Sequence, residues 1–121
     1  MRIETELMRG AGPVAVLKLL ERSEMYGYEL VEALAKRTDG VLAMGQSTLY
    51  PLLYNLEAKG LIEAHWRTSD EGRERKYYRL TGKGKKRLAA DSEQFTVLAK
   101  ALGSIGVISP VNARTIAGAG A

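Results

Sequence analysis

Apolar side chains recur at helical spacing through the first half of the chain, and the pattern then switches to strict alternation. Val14, Val16, Leu17, Leu19 and Leu20 follow Gly12-Pro13 and predict a first firm helix that is apolar on more than one side, suited to core and dimer contact. The segment before it, from Met1 to Gly10, reads as a short lead-in with helical spacing through Ile3, Leu7 and Met8. Ser23 to Tyr26 interrupts the pattern. Leu30, Val31 and Leu34 then share one face of a second helix over Tyr28–Thr38, which Asp39-Gly40 ends. A loop from Val41 to Gly45 leads to a third helix.

That third helix, within Gln46–Leu61, sorts its faces sharply. At about 100° per residue, Leu49, Leu52, Leu53 and Leu56 form an apolar stripe, while Ser47, Tyr50, Pro51 and Tyr54 face away. A merely solvated face would carry Lys and Glu, so a face of tyrosine and serine is suited to contact. With Ser47 as N-cap, Pro51 would fall in the second turn and favour a bend or a delayed start. Lys59-Gly60 reads as a helix stop.

From Ile62 the period becomes two. Ile62, Ala64 and Trp66 alternate with Glu63, His65 and Arg67, which predicts a strand with Trp66 on its buried face and His65 at the surface. The polar run Thr68–Gly72 is a turn, and Arg75–Leu80 returns as a second strand, so the hairpin tip carries Arg73, Arg75 and Lys76. Thr81 caps a last helix over about Lys83–Leu102, with Gly82 and Gly84 weakening its first turn. Leu88, Phe95 and Leu102 repeat every seven residues, with Leu98 between them, and predict a short dimer seam. The expected organisation is residues 1–81 as one unit of helices and hairpin with its lead-in, 82–105 as a dimerisation helix, and 106–121 as a disordered tail.

Composition narrows the chemistry. The 121 residues are 45% hydrophobic, enough for one small core. Cysteine is absent and there is one histidine, so thiol catalysis, disulfides and Cys-based zinc sites are excluded, and neither a metal nor a cofactor is expected. Ser47 and His65 lack a third partner and an oxyanion hole, so the chain is not read as an enzyme. No apolar run approaches the roughly 20 residues needed to span a bilayer, and the first ten residues, with acids and bases mixed, do not read as a signal peptide. Net charge is only +4, but Arg67–Arg87 holds nine bases against three acids. A concentrated basic segment is the footprint of phosphate binding.

Three helices, a hairpin and a final helix give a mainly α chain with a small β-hairpin, the layout of a winged helix-turn-helix followed by a C-terminal dimerisation helix. In such a domain the third helix enters the major groove and the wing reaches the flanking backbone. Gln46, Ser47, Thr48, Tyr50 and Tyr54 are the expected readers, and Arg73, Arg75 and Lys76 the expected phosphate contacts. No Arg lies on the third helix, so specificity leans on shape and apolar contact instead of Arg–guanine pairs. Leu88, Phe95, Leu98 and Leu102 are expected to dimerise.

Three motifs in register sharpen this reading. Tyr26-Gly27-Tyr28-Glu29-Leu30, then Leu49-Tyr50-Pro51-Leu52-Leu53 with Leu56-Glu57 and Gly60-Leu61-Ile62, then Gly72 to Thr81, resemble PadR-family transcriptional regulators over roughly Pro13–Leu102. The resemblance is to the branch with a short C-terminal region. It implies a cytoplasmic regulator, usually a repressor, that binds an inverted-repeat operator in double-stranded DNA as a homodimer and is released by a small aromatic or cationic effector. The final helix lacks the tryptophan that some relatives use to sandwich drugs. The competing reading is a winged-helix module that binds protein through its Tyr50 and Tyr54 face without specific DNA binding.

Overall fold

The computed structural model describes residues 1–109. Four helices and three strands follow in the order α1 (Thr5–Arg22), β1 (Met25–Tyr26), α2 (Gly27–Arg37), α3 (Gln46–Ala58), β2 (Ile62–Thr68), β3 (Glu74–Leu80) and α4 (Gly82–Ser104). The sheet is antiparallel with strand order β1-β3-β2. It is the winged-helix layout read from the pattern, with one strand added.

α1 begins eight residues before Pro13 instead of at it, absorbing most of the expected lead-in. Pro13 removes the bond that the Arg9 carbonyl would accept, but Arg9 is exposed. Met8, Gly12, Val16, Leu17, Leu19 and Leu20 of this helix are buried. Gly12 is needed for space, since a Cβ there would stand 3.0 Å from Leu52 Cδ1 of α3.

Ser23–Tyr26 is more than a break. Met25 pairs with Tyr78 and Tyr26 with Tyr77, so this linker supplies the third strand. Two residues are too few to show alternation. The Tyr26 N–H donates to Glu29 Oε1 at 3.1 Å, which anchors the start of α2. At the other end Asp39 and Gly40 both take positive φ, as the sequence Asp-Gly suggests.

α3 starts at Gln46 with Gly45, not Ser47, in the N-cap position and no side-chain cap. Pro51 is accommodated inside the helix, so the start is earlier than expected, not delayed. Its end explains how a strand follows at once. Gly60 has φ +74°, its N–H donates to Glu57 O, and Leu61 N–H donates to Leu56 O, which together make a Schellman stop. Leu56 and Leu61, the residues that flank such a stop with apolar side chains, are both buried.

Thr81 caps α4 as expected: Gly84 N–H donates to Thr81 Oγ1 at 2.9 Å. Gly84 is not a weak point of that turn. A Cβ on it would lie 2.0 Å from the Leu61 carbonyl, so only glycine lets α4 begin against the α3–β2 junction. α4 ends with a second glycine stop, in which Gly106 takes positive φ and Val107 N–H donates to Leu102 O.

The chain forms two compact units, one through Leu88 and the other from Ala89 onward. The boundary thus falls within α4, two turns later than residue 81. In the first unit, Val16, Leu17, Leu30, Leu34, Leu49, Leu53, Ile62 and Tyr78 are the most deeply buried side chains. The described part of the second unit is the rest of α4 with its glycine stop. Of the expected 106–121 tail, residues 110–121 lie outside the described residues.

Candidate nucleic-acid interface

α3 buries Leu49, Leu53 and Leu56 and leaves Gln46, Ser47 and Thr48 exposed at its N-terminus. The uncapped first turn carries the positive end of the helix dipole, a chemistry suited to phosphate. One face of α3 is thus held by the core and the other is open along its first turn and at Tyr54, which is 57% exposed.

Tyr50 is placed differently from Tyr54. A Cβ on Gly27 would meet the Tyr50 hydroxyl oxygen at 2.5 Å, so the phenol fills the space that Gly27 leaves at the start of α2. Tyr50 is therefore half-buried and locks α3 to α2. The Tyr50 and Tyr54 rings lie 6.3 Å apart. The glycine of the Tyr26-Gly27-Tyr28 motif owes its place to this packing, and the only signal for it in the sequence was the motif itself.

The hairpin pairs in a continuous register from Ile62 opposite Leu80 to Thr68 opposite Glu74. Its turn closes through Ser69 N–H to Arg73 O, with Gly72 at φ +82°. Arg73 is exposed at this turn. Lys76 points from β3 toward α3, with Nζ 5.8 Å from the Tyr54 ring and 5.6 Å from the Tyr78 ring. Burial, reinforced by Glu57, pushes the Tyr78 phenol up to about 12, so it stays neutral beside Lys76.

Arg75 is placed apart from Arg73 and Lys76. Its guanidinium lies 4.3 Å over the Tyr26 ring and pairs with Glu71 at 3.3 Å, on the opposite face of the hairpin. That face carries a stack the sequence reading missed. Arg67 covers the Tyr77 ring at 3.9 Å, Tyr77 meets Tyr26 edge to face at 5.3 Å, and Glu24 holds both Arg67 and His65. His65 is half-buried in this stack, not a plain surface residue. Together these contacts fasten the hairpin to the α1–α2 linker. Arg79 is likewise paired, with Glu63 at 2.7 Å.

Trp66 overturns its expected burial. It lies on the same face as Ile62 and Ala64 yet is 65% exposed, because the core ends before the hairpin does. In the C-terminal segment, Leu88 is 3% exposed and belongs to the core of the first unit, so its side chain is committed there and not to a partner. Phe95 and Leu98 are 40% and 50% exposed, and Leu102 is intermediate.

Among the described residues no cluster of His, Asp or Glu is disposed to hold a metal ion, and no helix is long and apolar enough to cross a membrane.

Comparison with known proteins agrees with this fold. The model of the transcriptional regulator PadR-like family matches residues 16–90. The chain is 34% identical over 83 residues to an uncharacterized protein X of Lysinibacillus sphaericus, covering 69% of this chain and 76% of that one. It is 34% identical over 95 residues to the transcriptional regulator Rv3488 of Mycobacterium tuberculosis, covering 78% and 85%. Among solved structures, a PadR family transcriptional regulator from Eggerthella lenta superposes with a TM-score of 0.72 at 37% identity, covering 83% of this chain and 85% of that one. A Streptococcus transcriptional regulator gives a TM-score of 0.74 at 35% identity, covering 84% and 98%. With three motifs in register, a winged helix built around them and a family match across most of the chain, the protein belongs to the PadR-like family of transcriptional regulators.

Proposed function

We propose that this regulator is a cytoplasmic repressor that binds an inverted-repeat operator as a homodimer. In this reading α3 enters the major groove, with Gln46, Ser47, Thr48 and Tyr54 facing DNA and Tyr50 supporting them from its place against Gly27. Arg73 and Lys76 meet backbone phosphate, and Arg75 contributes positive potential from within its stack. The observation that carries the reading is the meeting of α3 and the wing, where Lys76 Nζ stands 5.8 Å from the exposed Tyr54 ring and brings a cation of the wing to the open face of α3.

Dimerisation is assigned to the exposed apolar positions of α4, chiefly Phe95, Leu98 and Leu102, with Leu7 of α1 as a further exposed apolar position. Release by a small aromatic or cationic compound is the part of the proposal that comes from the family alone. α4 carries no tryptophan for an aromatic sandwich.

The test is a mobility shift with promoter DNA and with random duplex over a range of salt. Phosphate contacts release counterions, so affinity falls steeply with ionic strength, and Arg73→Ala should reduce that slope by about one on both duplexes. A protein-binding module would show no salt-dependent DNA affinity, and that result would overturn the proposal.

A further inference from the structure

The sole tryptophan of the chain stands outside the core on the hairpin face that turns toward α3. On that face Ile62 pairs with Leu80, Ala64 with Tyr78, and Trp66 with Lys76. Exposure rises along β2 from 2% at Ile62 to 65% at Trp66. Tyr78 is the last deeply buried residue on the facing strand, and one pair farther out Lys76 extends its ammonium to within 5.8 Å of the Tyr54 ring. Trp66, Lys76 and Tyr54 therefore succeed one another from the wing to α3.

The strand that presents the indole is held from behind. Arg67, next in sequence, turns to the opposite face, where Glu24 binds it and the Tyr77 ring supports it. His65, on the other side of Trp66, meets the same carboxylate with Nε2 at 3.4 Å. An indole so presented offers an apolar plane and one N–H donor. Of the charged side chains along this face, Lys76 is directly opposite the indole, Glu74 is next toward the tip, and the exposed Arg73 lies beyond it in the turn, so two cations flank one carboxylate and favour an anionic partner.

We infer that Trp66 is a backbone-contacting residue of the wing, which lays its ring against a deoxyribose of duplex DNA and donates its N–H to a phosphate oxygen. This rests on the DNA-binding reading above. The contact involves no base edge, so it adds affinity without sequence preference.

The experiment compares wild type, Trp66→Ala, Trp66→Phe and Arg73→Ala for binding to a promoter duplex and to a random duplex of equal length. Trp66→Ala should weaken both about fivefold to tenfold, the scale of one solvent-exposed hydrogen bond with its packing. Unlike Arg73→Ala, it should leave the salt slope unaltered, because the indole is neutral. Trp66→Phe should recover part of the loss, since it keeps an aromatic plane and lacks the donor. In wild type, either duplex should shield the indole emission from a soluble quencher. Wild-type affinity in Trp66→Ala, or an indole equally accessible with and without DNA, would overturn the inference while leaving the DNA-binding reading intact. Failure of wild type to bind either duplex in a salt-dependent way would overturn both.

Discussion

Tyr50 and Tyr54 sit one turn apart on α3, in different surroundings. Tyr50 spends its hydroxyl end against Gly27, whereas Tyr54 stays open beside Lys76. Tyr54→Ala should therefore lower operator affinity more than random-duplex affinity, by about tenfold more if the ring meets a base edge or a thymine methyl. Competition binding with both duplexes reads this directly, and equal losses would remove Tyr54 from specificity. The same separation applies to the basic residues of the wing. Arg73 is exposed at the turn, but Arg75 is stacked on Tyr26 and paired with Glu71, so its removal would loosen the hairpin as well as change its charge. Arg73 isolates the phosphate contribution more cleanly.

At the scale of elements, the junction of α3, β2 and α4 is built on glycines with different tasks. Gly60 turns the chain at φ +74°, and Gly84 lets α4 approach the Leu61 carbonyl. Gly84→Ala should destabilise the fold by about 2 kcal/mol, since backbone must move to admit the methyl group. A urea midpoint at or above wild type would contradict that packing. Farther along α4, Phe95 and Leu98 expose apolar surface that Leu88 does not. Phe95→Asp should give a monomer that keeps its helical content and loses operator binding. Sedimentation showing wild type monomeric at micromolar concentration, or the variant still dimeric, would move the interface elsewhere.

For the molecule as a whole, the buried tyrosine at the wing root links stability to pH. Tyr78 has its pKa raised from 10.0 to about 12 by burial, so the folded state holds its proton more tightly than the unfolded chain does. The contribution is complete below pH 10 and declines as pH rises from 10 through 12. Thermal unfolding should therefore show a falling midpoint across that window, and Tyr78→Phe should flatten it. The proposed dimer also imposes a geometry on its target. Two copies of α3 on one side of the duplex require half-sites about one helical turn, roughly 10 base pairs, apart.

The order of the four helices and the two hairpin strands, the inward faces of α2 and α3, the glycine stops of those two helices and the concentration of bases between Arg67 and Arg87 were all legible in the sequence. Each depends on local spacing or on the intrinsic preference of a residue for its backbone conformation. Three motifs in register identified the family for the same reason. The rest was decided by how far one element extends over another. Alternation correctly put Trp66 on the face of Ile62 and Ala64, but it carries no record of where the covering core ends, and the indole proved exposed. Heptad spacing put Leu88 with Phe95, yet the first turns of α4 belong to the core and the later ones to the second unit. β1, the Tyr50–Gly27 contact and the stack of Arg67, Tyr77, Tyr26 and Arg75 join residues distant in the chain, and periodicity within a segment says nothing about them. Local pattern fixes the side on which a residue stands. Only tertiary packing decides whether another part of the chain reaches it.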